Sequence, residues 1–494
     1  MTSAQPRSPF AWRGVLLIAG AVTLVLFALS GRYGYHRDEL YFLACGRHLA
    51  WGYPDQPPLV PLLARAMSGI APGSLVLLRL PSDLAAGGTV VLTAAIAREL
   101  GAGRGGQLLA AGTMAASGFL LGSGHLLSTT TFGLTLWAGL ILCALRLIRT
   151  GDGRWWLAAG LVTGIGLLDN VLIVFLAVTV MVGVAVLGPR PIFRSGWLLV
   201  GVVIAAALWT PYLVWQAQHG WPELTIGRAI ANGSSGTSAP RWQIPVQQFL
   251  LASPLLAPIW IAGLVRLCRG EALRWCRAFG VAYFLLLVIF LVTGGKPYYL
   301  ANMFPLLLAA GAEPALDWAR QSADHRRLLR IAVVFSAIPD ALITLPIVPV
   351  GSLHQTPIVA MNYDAGETVA WPTYVRQVSA VADRLPQRQG VAIVTSNYGE
   401  AGALQRYGSA RLPPVFGRQN AYYLWGPPPA SVSTVVAVGF DRADLTGRFA
   451  SVQLVRRLNN QLDVDDDEQD APVWICRQPT APWPRLWRRL RRYG

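Results

Sequence analysis

Long apolar stretches dominate the chain, and short polar turns separate them. A helix needs about 20 apolar residues to cross a bilayer. Eleven segments come near that requirement: 12–30, 75–97, 106–122, 126–147, 155–168, 170–187, 196–217, 247–267, 277–293, 297–315 and 329–349. The fifth and sixth are short and share a break at Asp169-Asn170, so they form either a re-entrant pair or two short spans. The third and fourth meet at Gly122-Ser123-Gly124-His125. After residue 350 the pattern changes. Segments 391–394, 434–438, 452–455 and 473–476 read as strands, with a helix over 399–407. Short strands alternating with helices predict a small α/β domain. The expected fold class is an all-α polytopic membrane domain of eleven transmembrane helices over 1–350, then a soluble α/β domain over 351–476 and a basic tail over 477–494.

Composition agrees with the pattern. The chain is 53% hydrophobic and 13% charged, against about 25% charged residues in soluble domains. Its 18 tryptophans suit many water–lipid boundaries. The net charge of +16 is almost all arginine, with Lys296 the only lysine. The arginines fall in short loops, which points to membrane orientation and not to a nucleic-acid partner. With eleven spans, Arg98 and Arg104, Arg146 to Arg154, Arg190 and Arg194, Arg266 to Arg277 and Arg320 to Arg330 share the side of Arg7 and Arg13. That side is cytoplasmic by the loop-charge rule. The opposite side receives the outer loop 31–74, the loop 218–245, Lys296 and everything after 350. The expectation is a multi-pass plasma-membrane protein with its C-terminal domain outside. Cys45 and Cys476 share that side and are able to pair; the acidic run 463–470 reads as a solvated loop. The basic, aromatic stretch 483–492 reads as an interfacial helix on anionic headgroups.

Candidate chemistry concentrates just after the first span. Tyr35-His36-Arg37-Asp38-Glu39-Leu40-Tyr41 is followed by Tyr53-Pro54-Asp55-Gln56-Pro57-Pro58. Carboxylates at a bilayer edge are costly and usually functional. Leu40, Leu43, Ala44 and Leu49 share one helical face over 38–51, which predicts a helix lying flat on the membrane. Asp38, with Glu39 beside it, is either a helix cap or a general base for an acceptor hydroxyl. Asp55 is a turn residue or a second acid that orients the acceptor or binds a cation. Lys296, beside Tyr298 and Tyr299, is a snorkelling anchor or a point charge for a phosphate. His125 lines a cavity at the outer end of a span or bonds locally, and Asp169 is a buried functional acid or a solvated turn. Gly101-Ala102-Gly103-Arg104-Gly105-Gly106 is no nucleotide cradle, since no strand precedes it.

The first-loop motif resembles that of GT-C glycosyltransferases, nearest to bacterial proteins similar to protein O-mannosyltransferases and to the aminoarabinose and galacturonic acid transferases of lipid A. The resemblance continues at Gly294-Gly295-Lys296-Pro297-Tyr298-Tyr299-Leu300, at Ser396-Asn397-Tyr398-Gly399-Glu400-Ala401-Gly402-Ala403 and at Asn420-Ala421-Tyr422-Tyr423-Leu424-Trp425-Gly426. It implies a sugar donor on polyprenyl phosphate, transfer to a glycan, lipid or protein hydroxyl, and inversion at the anomeric carbon. Asp38 then matches the family's loop base, with Glu39 and Asp55 completing the acidic set. Where family members often carry an acid followed by Lys-Pro-Pro, this chain has Asp55-Gln56-Pro57-Pro58, so Lys296 is left to supply the missing charge. Arg37, Gln56, His125, Asp169, Tyr298 and Tyr299 join Lys296 as candidate substrate contacts. A divalent cation is left open. A transporter or lipid flippase is the alternative, though such proteins place functional charges near the bilayer middle and often show repeated halves.

Overall fold

The computed structural model describes residues 7–233, 238–385 and 389–493. Helix occupies part of each of the eleven apolar segments. Among the described residues, four single helices are long and apolar enough to cross a bilayer: Trp12–Leu29, Leu75–Glu99, Thr129–Thr150 and Gly196–Gln218. Gln243–Leu251 and Pro254–Arg269 add a fifth if a pair bent by 94° counts as one span. The remaining segments are shorter or interrupted. Arg104–Ala115 stops before Gly118–His125, and Phe304–Arg320 is preceded by a 3-10 stretch at Pro297–Met303. Eleven full-length spans therefore do not follow from helix length and composition.

Local chemistry sets the helix ends. Ser74 accepts the Leu77 N–H at 3.2 Å and Ser322 that of His325 at 3.0 Å, each satisfying a donor the first turn leaves free. Helices Trp155–Leu167 and Gly196–Gln218 cross at Gly160 and Gly201, where a side-chain carbon on either would collide with the other backbone. Glu99 accepts from Arg146 at 2.9 Å and Arg149 at 2.8 Å, joining Leu75–Glu99 to Thr129–Thr150.

The C-terminal region is an α/β domain on a five-stranded sheet: β1 (Val391–Thr395), β2 (Val415–Gly417), β3 (Thr434–Val438), β4 (Phe449–Arg457) and β5 (Pro472–Pro479). The order is β2-β1-β3-β5-β4, with β2, β1 and β3 parallel and β5 antiparallel to both its neighbours. Side-chain alternation divides the two faces. Val391 and Ile393 pack with helices Trp371–Asp383 and Tyr398–Tyr407; Ala392 and Val394 pack with helix Trp483–Leu490. The domain thus runs past residue 476. The last helix, expected on lipid headgroups, buries Trp483, Leu486, Trp487 and Leu490 against the sheet instead. Cys45 and Cys476 are free thiols in separate cores, so the pairing open to them in the sequence is not made.

The first loop folds into helices Arg37–Arg47 and Leu59–Ile70. Its first helix was expected to rest on the membrane. Its apolar face meets the tail domain instead: Leu40 lies directly on Gly402, where an added side-chain carbon would be 2.8 Å from the Leu40 Cβ. Tyr35, Leu40, Tyr41, Ala44 and Tyr53 share one core with Trp371, Val378, Ala401, Leu404 and Tyr422. Leu49, beyond the helix end, stays exposed.

Candidate active site

Helix Arg37–Arg47 opens with a reciprocal cap: His36 Nδ1 accepts the Asp38 N–H at 3.2 Å, and Glu39 accepts the His36 N–H at 2.8 Å. Adjacent helical positions point about 100° apart, and the two acids part company there. Glu39 turns inward. Arg79 donates to its two oxygens at 2.8 Å each, and the Leu127 N–H adds a bond at 3.0 Å. Both ions are fully buried. Arg79 also donates to the Ser30 and Gly34 carbonyls and lies 3.3 Å from His125 Nε2. Glu39, expected as a catalytic acid, thus has its oxygens saturated behind the loop, where it serves as an anchor. His125 is held in the same buried cluster, with Nδ1 unpartnered among the described residues.

Asp38 turns outward, its side chain 38% exposed. Its Oδ1 accepts the Tyr398 hydroxyl at 2.7 Å. Asp55 accepts the Tyr41 hydroxyl on Oδ1 at 2.8 Å and the Asn420 amide on Oδ2 at 2.9 Å. The rings of Tyr41 and Tyr398 stack, with centroids 4.6 Å apart and planes 30° apart. A tyrosine pair therefore links the two acids, one ring from the first loop and one from the tail domain. Burial pushes the Asp55 carboxyl up to about 6; the Tyr41 and Asn420 hydrogen bonds oppose this and the Asp38 charge adds to it.

Charged groups surround the pair. His36 Nε2 lies 3.5 Å from Asp364, and its Nδ1 is 4.0 Å from Asp38 Oδ2. In the neutral ring Nδ1 caps the helix; protonation turns it into a donor toward Asp38. Burial alone lowers the His36 pKa, but the hydrogen bond to Asp364 and the charges of Asp38, Asp364 and Glu39 outweigh it and raise it to about 9. The Asp364 side chain is half exposed, and its carboxyl is held below the usual carboxylate range by His36, Lys296 and Arg37. The Lys296 Nζ lies 5.8 Å over the Tyr298 ring. Tyr298 in turn meets Tyr299 edge-on at 5.2 Å.

Arg37, expected as a substrate contact, is engaged by protein. It donates to the Tyr363 hydroxyl at 2.8 Å, to Glu367 at 3.0 Å and to Asp467, and sits 5.3 Å over the Tyr398 ring. The acidic run is accordingly more than a solvated loop: Asp467 pairs with Arg37, and buried Glu468 accepts the Asn397 amide at 3.0 Å. Gln56 is buried, its Nε2 unpartnered among the described residues. Asp169 is 1% exposed with neither oxygen partnered among the described residues. It sits where the helix break touches the first loop, the Leu168 carbonyl accepting the Leu59 N–H at 2.9 Å. No group of three or more His, Cys, Asp or Glu side chains fit to hold a metal occurs among the described residues. An apolar cavity of about 130 Å³, lined by Ile141, Leu176, Val180 and Phe193 among others, lies within the helical domain.

The residues to which the sequence assigned no role are Tyr41, Tyr398 and Asn420 on the acids, though all three stand in the motifs quoted above, and Arg79 and Asp364 behind them. Tyr398 and Asn420 stand in the polar blocks after β1 and β2, a visible signal of function, but their partners lie far away in the chain.

The family model described as dolichyl-phosphate-mannose-protein mannosyltransferase matches residues 55–215, a stretch holding Asp55, Gln56, His125 and Asp169. No curated protein matches the chain in sequence. Among solved structures, ArnT from Cupriavidus metallidurans bound to undecaprenyl phosphate superposes with a TM-score of 0.59 at 16% identity, over 94% of this chain and 98% of that one. Its apo form gives 0.58 at 15% over the same shares. Archaeal oligosaccharyltransferase AglB from Archaeoglobus fulgidus, in complex with an inhibitory peptide and a dolichol-phosphate, gives 0.50 at 12%, over 86% of this chain and 69% of that one. At such identities the likeness is one of fold, and it runs through both the helical domain and the tail domain. The chain has the GT-C fold of membrane glycosyltransferases.

Proposed function

We propose that this protein is a membrane glycosyltransferase that moves a sugar from a polyprenyl-phosphate donor to an acceptor hydroxyl on the extracytoplasmic face of the plasma membrane, with inversion and with Asp38 as base. The observation that carries the reading is Asp38 itself. It is partly open to solvent and fixed by a neutral donor on Oδ1, and its Oδ2, 4.0 Å from His36, takes the proton. Its neighbour Glu39 is sealed off by Arg79. The fold's likeness to a protein solved with undecaprenyl phosphate supports a lipid-linked donor.

In this mechanism the acceptor hydroxyl gives its proton to Asp38 Oδ2 as its oxygen bonds to the anomeric carbon. The bond from that carbon to the phosphate oxygen breaks on the opposite face. Polyprenyl phosphate departs with the electron pair. General base help of this kind contributes about 10²–10⁴-fold. Lys296 offsets the charge gathering on the leaving phosphate. Asp55, with its proton affinity near neutrality, orients the acceptor. Arg37 and Glu39 hold the first loop in place.

The test is transfer from a panel of radiolabelled polyprenyl-phosphate sugars by the purified full-length chain. The Asp38→Asn variant is expected to lose at least about 10²-fold in kcat. Turnover retained by Asp38→Asn removes the base assignment. Substrate translocation without transfer by reconstituted protein favours the flippase reading.

A further inference from the structure

Tyr398 and Asn420 cross from the tail domain and end on the two first-loop acids, and the mechanism above assigns them nothing. We propose that the tail domain is a working part of the catalytic centre, in which Tyr398 positions Asp38 and Asn420 positions Asp55; this rests on the reading of those acids as the reacting pair.

Both residues stand at the C-terminal ends of parallel strands, Tyr398 after β1 and Asn420 after β2. In α/β sheets this edge is where side chains reach ligands. The turn that presents Tyr398 is pinned from both directions. Asn397 accepts the Glu400 N–H at 2.8 Å, and Glu400 accepts the Ser396 and Asn397 N–H groups at 2.8 and 3.0 Å. Tyr41 and the Arg37 guanidinium both lie against the Tyr398 ring. The hydroxyl is thereby fixed on Asp38 Oδ1, and Oδ2 remains the proton acceptor.

Asn420 adopts φ +49°, a left-handed conformation that few residues other than glycine and asparagine accept readily. Its N–H is held by the Arg492 carbonyl at 3.2 Å, and the next N–H, of Ala421, donates to the Tyr41 hydroxyl at 3.1 Å. Backbone strain of this kind collects where a site must hold a group in place. The donor chemistry also fits. A lysine or arginine bonded directly to either carboxylate would suppress its basicity most; a phenol and an amide fix geometry at a smaller cost, and the His36 ring stands back at 4.0 Å from Asp38 Oδ2. Simple docking of two domains would be served by apolar contact, which Leu40 and Gly402 already provide.

The test uses the full-length chain in lipid nanodiscs with Tyr398→Phe and Asn420→Gly. Phenylalanine keeps the stacked ring, and glycine takes the left-handed backbone without strain, so both variants retain the fold. The first readout needs no substrate: carboxyl labelling by a water-soluble carbodiimide, followed by peptide mass spectrometry across pH, reports protonation of Asp55. The groups that bear on Asp55 are Tyr41, Asn420, Asp38, Cys45, Tyr53, Tyr212 and Tyr398. Asn420→Gly removes a bond to the charged carboxylate, so the labelling midpoint moves to higher pH. The second readout is transfer from the radiolabelled polyprenyl-phosphate sugar panel. Each variant is expected to lose about tenfold or more in kcat with donor KM within about twofold. An unshifted midpoint in Asn420→Gly, or unchanged kcat in both variants, overturns the proposal. If the wild-type chain transfers no sugar from any donor, the glycosyltransferase reading falls, and the labelling shift alone decides whether the tail domain holds the acids.

Discussion

Arg79 and Glu39 place a complete ion pair where neither side chain touches solvent. Removing one member of such a pair leaves an uncompensated buried charge, at a cost of about 3–5 kcal/mol. Glu39→Ala is therefore expected to lower thermal stability sharply in detergent, while Asp38→Asn, at a half-open position, leaves the melting temperature nearly unchanged and removes turnover. Equal stability losses in both variants contradict the division of roles between these neighbours. The candidate site was half legible at this scale. Asp38, Asp55 and Lys296 stand out because charged residues are scarce in an apolar chain. The fate of Glu39 did not, since its partner Arg79 reads simply as one more arginine at the start of a span. The ion pairs of Arg37 escaped notice for the same reason: its acidic partners, Glu367 and Asp467, lie far along the chain.

Helices and strands were legible wherever one periodicity persisted. Four of the five strands and the helix after β1 fall where alternation and apolar runs place them. Strand β2 escaped because it is three residues long and follows Pro413-Pro414. The final helix, Trp483–Leu490, shows the limit of periodicity: it announces an apolar face without saying what covers it. The covering here is the sheet, with Trp487 stacked on Tyr423 at 5.8 Å and its indole N–H donating to the Tyr423 carbonyl at 3.0 Å. Trp487→Ala is therefore expected to destabilise the tail domain by about 3–5 kcal/mol, seen as faster amide exchange in β1 and β3 of the full-length chain. Loss of membrane retention with normal exchange would restore the lipid-surface role.

For the molecule as a whole, the interface between first loop and tail domain is rich in groups with raised proton affinity. Burial takes Asp55 from 3.8 to about 6 and Glu400 from 4.5 to about 7, while acidic neighbours bring His36 from 6.5 to about 9. Each binds its proton more tightly folded than unfolded. Its contribution is present in full below the unfolded pKa and is lost as pH rises through the folded one. The melting temperature is expected to fall steadily from about pH 5 to about pH 9; a maximum near pH 9 contradicts the assignment. The two-domain plan was legible from the loss of long apolar runs after residue 350. The union of the domains was not, since pairing across the chain leaves no periodic trace. Asp38 and Tyr398 stand 360 positions apart in the sequence. A ribosome delivers the carboxylate long before the phenol. On the reading proposed above, a chain that has not yet reached Tyr398 is inert, and activity waits for the tail domain to fold onto the first loop.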